Sequence, residues 1–187
     1  MIRTTRMRWF VASLGLCALF ADQALAADVY QGTVKFKNAA GKQVTENLTV
    51  TLDRTMPDEE RAAIAEQVKS NPDSAKGVLA GKPQLGVIEA GDRRVPIRFA
   101  SVYALDQGQN VVVVSDEPLG FIGGSNKSKK GFDLTYAMIS VNAAGEGKGE
   151  IGPAAKIKWM ESGAPAPVRY DNQIVWIENV KKTTTGN

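Results

Sequence analysis

Between Val95 and Leu105 an apolar side chain stands at every second position, Val95, Ile97, Phe99, Tyr103 and Leu105, with Ser101 the one exception. Asp106 to Asn110 then supplies turn residues ahead of the run Val111 to Val114, and the pattern predicts a β-hairpin. Side chains on a strand alternate between its faces, so four consecutive valines predict a central strand buried on both sides.

The same alternation extends along most of the chain. Val34 and Phe36 against Lys35 and Lys37 predict a half-solvated strand over Asp28 to Lys37. After an Asn38–Lys42 turn, Leu48, Val50 and Leu52 continue in period two, which completes a first hairpin. The alternation breaks at Thr55-Met56-Pro57-Asp58-Glu59-Glu60, where a capping-capable threonine, an early proline and three acids predict a helix start. This helix is expected to run to about Val68 or Lys69 and, with much of its inward surface made of alanine, to pack on the sheet from outside. A second short turn of helix is expected with Asn71 as cap, Pro72 in the first turn and Gly81 as the stop.

From Gln84 to Ser115 the pattern predicts three successive antiparallel strands, the first turning at Gly91-Asp92. Further strands are expected over Asp133 to Asn142, Glu150 to Met160 and Val168 to Val180, with Lys181 to Asn187 as a frayed tail. The expected fold is all-β, an antiparallel sandwich or small barrel of about eight or nine strands with one or two short peripheral helices. One domain is expected over 27–187, with a helical insertion at about 56–80. Alternating lysines at 35, 37, 156 and 158 do not suit the lipid-facing band of an outer-membrane barrel.

The first 26 residues stand apart. Arg3, Arg6 and Arg8 occur without an acid, Trp9 to Ala21 is almost wholly apolar, and Ala24-Leu25-Ala26 follows. These are the three parts of a secretory signal peptide, and the apolar run is shorter than the roughly 20 residues a membrane span needs. The expectation is cleavage after Ala26, export to the periplasm or the cell exterior, and no transmembrane segment in the remaining chain. Three of the 23 basic and one of the 20 acidic residues lie in this segment, which leaves 20 against 19 and removes any nucleic-acid footprint.

Candidate chemistry is narrowed further by what is missing: the chain has no histidine, and its one cysteine, Cys17, lies in the signal segment. Thiol nucleophiles, Ser-His-Asp triads and zinc sites built on nitrogen or sulfur are therefore excluded for residues 27–187, and no cofactor is expected. Carboxylate, lysine, tyrosine and serine chemistry remains. Asp116-Glu117 is an acidic pair directly after a core strand, but adjacent residues on a strand end point apart, whereas glycoside hydrolysis needs its two carboxyls across one bond.

The segment Gly123 to Gly131 (GGSNKSKKG) is the main binding candidate. Gly123 and Gly124 free backbone amides, Asn126 adds a polar side chain, and Lys127, Lys129 and Lys130 bring positive charge to one loop able to hold an anion. A meander from Gln84 would place Arg93 and Arg94 at the same end and complete a basic rim for phosphate, sulfate or an acidic sugar. The functional expectation is thus an exported, non-catalytic binding or envelope-associated β domain whose partner is a small anion, a glycan or an envelope component. Its alternatives are a carboxylate hydrolase acting on polysaccharide and a carrier of an apolar ligand in a barrel cavity.

Overall fold

The structure is a computed structural model and describes residues 26–37, 41–119, 131–168 and 175–185. Ten strands follow in chain order as β1 (Ala27–Lys37), β2 (Gln43–Leu52), β3 (Gly86–Ala90), β4 (Arg93–Ile97), β5 (Phe99–Leu105), β6 (Gly108–Ser115), β7 (Leu134–Asn142), β8 (Glu146–Trp159), β9 (Pro165–Val168) and β10 (Val175–Thr185). Two helices, α1 (Asp58–Ser70) and α2 (Ala75–Ala80), are inserted between β2 and β3 with a 3₁₀ turn at Pro72–Ser74 between them. The fold is therefore mostly antiparallel β, as the alternation predicts.

Nine of the strands form one curled sheet in the order β4-β3-β2-β1-β10-β8-β7-β6-β5, and β9 adds to β8. The two edge strands, β4 and β5, are separated in the chain by Arg98 alone. Consecutive Cα atoms are about 3.8 Å apart, so a sheet whose opposite edges share this one link must curl until they meet. The result is a half-barrel closed at a corner on Arg98. The corner is fixed from several sides. Arg98 N–H donates to the Val114 carbonyl at 2.8 Å, Nη1 to the Lys82 carbonyl at 3.1 Å, and Nε to Asp116 Oδ1 at 3.1 Å.

This corner corrects the expected three-strand meander, because Val95 to Leu105 is two strands that pair with different neighbours. Through the register, Val95 and Ile97 share a face with Ile88, Val50 and Tyr30, whereas Phe99 shares the other face with Val114 and Tyr136. The alternation slips by one at Arg98, a shift that Ile97 and Phe99, both fully buried, conceal in the sequence.

A cross-sheet hydrogen bond identifies the concave face. Gln109 Nε2 on β6 donates to the Tyr30 hydroxyl on β1 at 2.7 Å, although three strands lie between them along the sheet. The interior is filled: Val34, Val50, Ile88, Ala100, Val113 and Ile151 all face inward with no exposed surface. Even Gly32 has no spare room, since a methyl there would lie 2.7 Å from Ile177 Cγ2 and 3.1 Å from Val180 Cγ2. Val111 to Val114 are all buried on the interior strand β6, as four valines in a row require.

Two further details follow from local chemistry. The β3–β4 turn is the two-residue Gly91-Asp92, with Gly91 at φ 60, which suits a hairpin turn that needs glycine at its first central position. Lys181 to Thr185, expected as a frayed tail, is instead ordered strand and pairs with Gln31 to Ala27. The polar composition suggested a tail, but pairing along β1 satisfies the backbone while lysine and threonine side chains stay largely in solvent. A bulge precedes it: Asn179 takes φ 54, and the extra residue lets Ile177 and Val180, an odd number apart, both turn inward.

The helical insertion lies close to its expected bounds. Asp58, Glu59 and Glu60 fill the first turn of α1 after Pro57, and Ile64 and Val68 are its buried residues. Neither Thr55 nor Asn71 caps a helix through its side chain; the helices are held by packing, with α1 against β8.

Candidate functional site

The two acids after β6 are separated by the strand end that carries them. Asp116 is buried against Arg98, while Glu117 is exposed and its N–H is bound by the Ser115 hydroxyl. Asp116 is thereby committed to the corner, and the pair does not converge on a common point.

Arg93 and Arg94 are likewise divided by alternation. Arg93 pairs with Ala90 and lies on the concave side, half-buried, with Nη1 buried and without a hydrogen-bond partner among the described residues. Arg94 lies on the convex side and pairs loosely with Glu89 across the hairpin at 3.7 Å. Neighbouring strand residues cannot present one rim. Gly123, Gly124, Asn126, Lys127, Lys129 and Lys130 lie outside the described residues.

Gly131, the residue after that segment, takes φ 86 and lines a cleft of about 440 Å³. The cleft is formed where the helical insertion meets β7 and β8, and Pro72, Ala75, Leu134 and Ile157 supply its apolar lining. Ala75, Leu134 and Ile157 are core residues, so that lining is rigid. Four charged side chains stand around it. Lys156 of β8 donates to Asp73 Oδ1 in the 3₁₀ turn at 2.8 Å, and Lys76 of α2 pairs with Asp133, just before β7, at 3.2 Å. Pro72 opens the 3₁₀ turn and places Asp73 in its first turn, where an acid is favoured.

All four side chains keep more than a third of their surface in solvent or close to it, from 35% for Lys156 to 78% for Asp73. Exposed pairs of this kind contribute roughly 0 to 1 kcal/mol each, so a ligand can replace either partner at small cost. The cleft thus offers two ammonium groups for anionic oxygens, two carboxylates for hydroxyl donors and the exposed Pro72 as an apolar contact. Its volume lies within the roughly 300 to 1,000 Å³ typical of small-molecule sites. The sequence pattern does not single out this set. Asp73 and Lys156 are 83 residues apart, and each lies in a stretch that reads as ordinary solvated surface.

A second polar group sits on the concave face. The Tyr30 hydroxyl lies 3.5 Å from Asp28 Oδ2 and accepts from Gln109, and Lys182 pairs with Asp28 at 2.9 Å while lying 5.7 Å above the Tyr30 ring. Burial, then the Asp28 charge, pushes the Tyr30 phenol well above its ordinary range. Every member has a partner, and Tyr30 is fully buried, so the group ties β1, β6 and β10 together.

The tryptophans divide. Trp159 meets Phe99 edge-on with ring centroids 6.0 Å apart, whereas Trp176 is 62% exposed. Among the described residues no helix is long and apolar enough to cross a membrane. No protein family matches the chain, and no curated protein or solved structure does.

Proposed function

We propose that the protein is an exported, non-catalytic binding domain of the cell envelope that holds an anionic glycan in the cleft between the helical insertion and strands β7 and β8. The observation that carries this reading is the four-cornered arrangement of Lys76, Lys156, Asp73 and Asp133 over an apolar lining. An acidic sugar suits it: its carboxylate or sulfate replaces Asp73 or Asp133 at a lysine, its hydroxyls donate to the carboxylate released, and its ring packs on the exposed Pro72. Export is supported by the basic, apolar and A-x-A parts of the first 26 residues, and β1 starts at Ala27, the expected new N-terminus. The filled interior of the sheet favours a surface site over a carrier's cavity.

The experiment is calorimetric titration of the protein with oligogalacturonate, at low and at physiological salt. Saturable binding that weakens with salt is expected, because exposed charges are screened beyond about 8 Å at physiological ionic strength. The double variant Lys76→Gln/Lys156→Gln should abolish it. Binding that persists in that variant would contradict the site. Inorganic phosphate serves as the small-anion arm. Because the cleft carries two carboxylates, release of reducing ends in the same samples would favour the hydrolase reading instead.

A further inference from the structure

On the convex face of the sheet one acidic side chain is largely buried without an ionic partner among the described residues. Glu150 of β8 is only 7% exposed, yet it makes no hydrogen bond or ion pair among the described residues. The other largely buried acid, Asp116, is bonded to Arg98. The Glu150 carboxylate oxygens keep some contact with solvent, which leaves them able to accept from a ligand.

The register gives its surroundings. Ser101, Val112, Met138, Glu150 and Trp176 are direct partners across β5, β6, β7, β8 and β10, so they form one row on one face. Tyr136 and Tyr103 lie on the same face, one position to either side of that row, and Ser101 Oγ is buried without a hydrogen-bond partner among the described residues. The Tyr136 phenol is pushed up to about 12, first by burial and then by the charges of Glu150 and Tyr103. Trp176, next to Glu150, leaves most of its indole in solvent. On this face Lys35 is taken by Glu178 at 2.6 Å, and Lys148, two residues from Glu150 on β8, is exposed and unpaired among the described residues.

We infer that Glu150 and Trp176 form a site for an organic cation, an alkylammonium group seated against the carboxylate and over the indole face. Both halves of this recognition are general. A carboxylate with a free coordination side accepts charge-assisted hydrogen bonds from an ammonium, and tryptophan is the best aromatic partner for a cation. The same chemistry is carried by free polyamines and by the amine of a deacetylated amino sugar. The site is separate from the cleft, and neither Lys76 nor Lys156 takes part in it.

The test is an NMR titration of the full chain, read on the indole N–H resonance of Trp176 and assigned by its loss in Trp176→Phe. The probes are spermidine, a glucosamine oligomer, and the N-acetylated form of that oligomer as the neutral control. Saturable shifts with either amine and not with the acetylated oligomer support the site. A response to the glucosamine oligomer alone identifies the sugar amine as the ligand source, and a response to spermidine as well identifies charge as sufficient. Glu150→Gln should weaken binding at least about tenfold, the factor that corresponds to about 1.4 kcal/mol, whereas Glu150→Asp should retain most of it. Trp176→Ala should weaken it by a few-fold, as expected for a cation over an exposed indole, and Lys148→Gln should tighten it by removing a like charge. No shift with either amine, equal shifts with the acetylated oligomer, or full binding by a folded Glu150→Gln protein would overturn the assignment.

Discussion

Two sets of cation–carboxylate pairs define this molecule, and burial separates their roles. At the corner, Arg98 and Asp116 keep 23% and 10% of their side-chain surface, and the guanidinium also holds the Lys82 carbonyl. At the cleft, Lys76, Lys156, Asp73 and Asp133 make the same kind of contact in the open. A buried pair cannot exchange a partner without leaving a charge stranded, so the corner belongs to the fold. An exposed pair can, which is why the cleft is available to a ligand.

The corner should break most severely. Arg98→Met leaves Asp116 buried without its cation, and loss of one member of such a pair costs about 3 to 5 kcal/mol, measured as a shift in the urea midpoint. Replacing both, as Arg98→Met with Asp116→Leu, should recover much of that loss, because the stranded charge is then gone. If the single variant is as stable as the parent, the corner is not what closes the sheet.

Glu150 sharpens the comparison. Among the described residues it has no ionic partner, so Glu150→Gln should change stability by less than about 1 kcal/mol, where Asp116→Asn lowers it. Thermal melts of the two variants side by side check this; a common loss would mean that Glu150 is structurally paired.

The pH dependence is smaller in its reach. The Tyr136 phenol is raised to about 12 from an ordinary value of 10.0, first by burial and next by the charge of Glu150. A raised folded value means that the protonated form is favoured in the native state. Its contribution to stability is therefore complete below about pH 10 and is lost as the pH rises through about 12. Spectrophotometric titration of tyrosinate should find this phenol ionising earlier in Glu150→Gln, though still above the ordinary value because burial remains.

At the cleft the effects on stability are the smallest. Lys76→Gln and Lys156→Gln should each change it by less than about 1 kcal/mol, as expected for exposed pairs. Denaturation midpoints that fall as far as those of the corner variant would make these lysines part of the fold.

The contrast between corner and cleft also explains what could be read from the chain alone. The first hairpin is legible because Val34 and Phe36, then Leu48, Val50 and Leu52, alternate around a short polar turn, and its register runs from Asp28 opposite Leu52 to Lys37 opposite Gln43. The helical insertion is legible because Pro57 with three acids marks its start and Gly81 its end. Arg98 is hidden for a definite reason: Ile97 and Phe99 are both buried but on opposite faces, so apolar alternation continues through a bend that reverses its phase. The arginines at 93 and 94 suggested one rim, but strand geometry sends adjacent side chains apart. The cleft was not legible at all. Its charged residues come from the 3₁₀ turn, α2, the residue before β7, and β8, and only the folded chain brings them together.

The most direct test of the account is the affinity of the intact protein for oligogalacturonate, measured by calorimetry beside its stability in the parent and in Lys76→Gln/Lys156→Gln. Binding at the cleft predicts a salt-sensitive isotherm that disappears in the double variant while the denaturation midpoint stays nearly constant. An isotherm that survives the double substitution, or a parent protein that binds no acidic oligosaccharide at low salt, would contradict it.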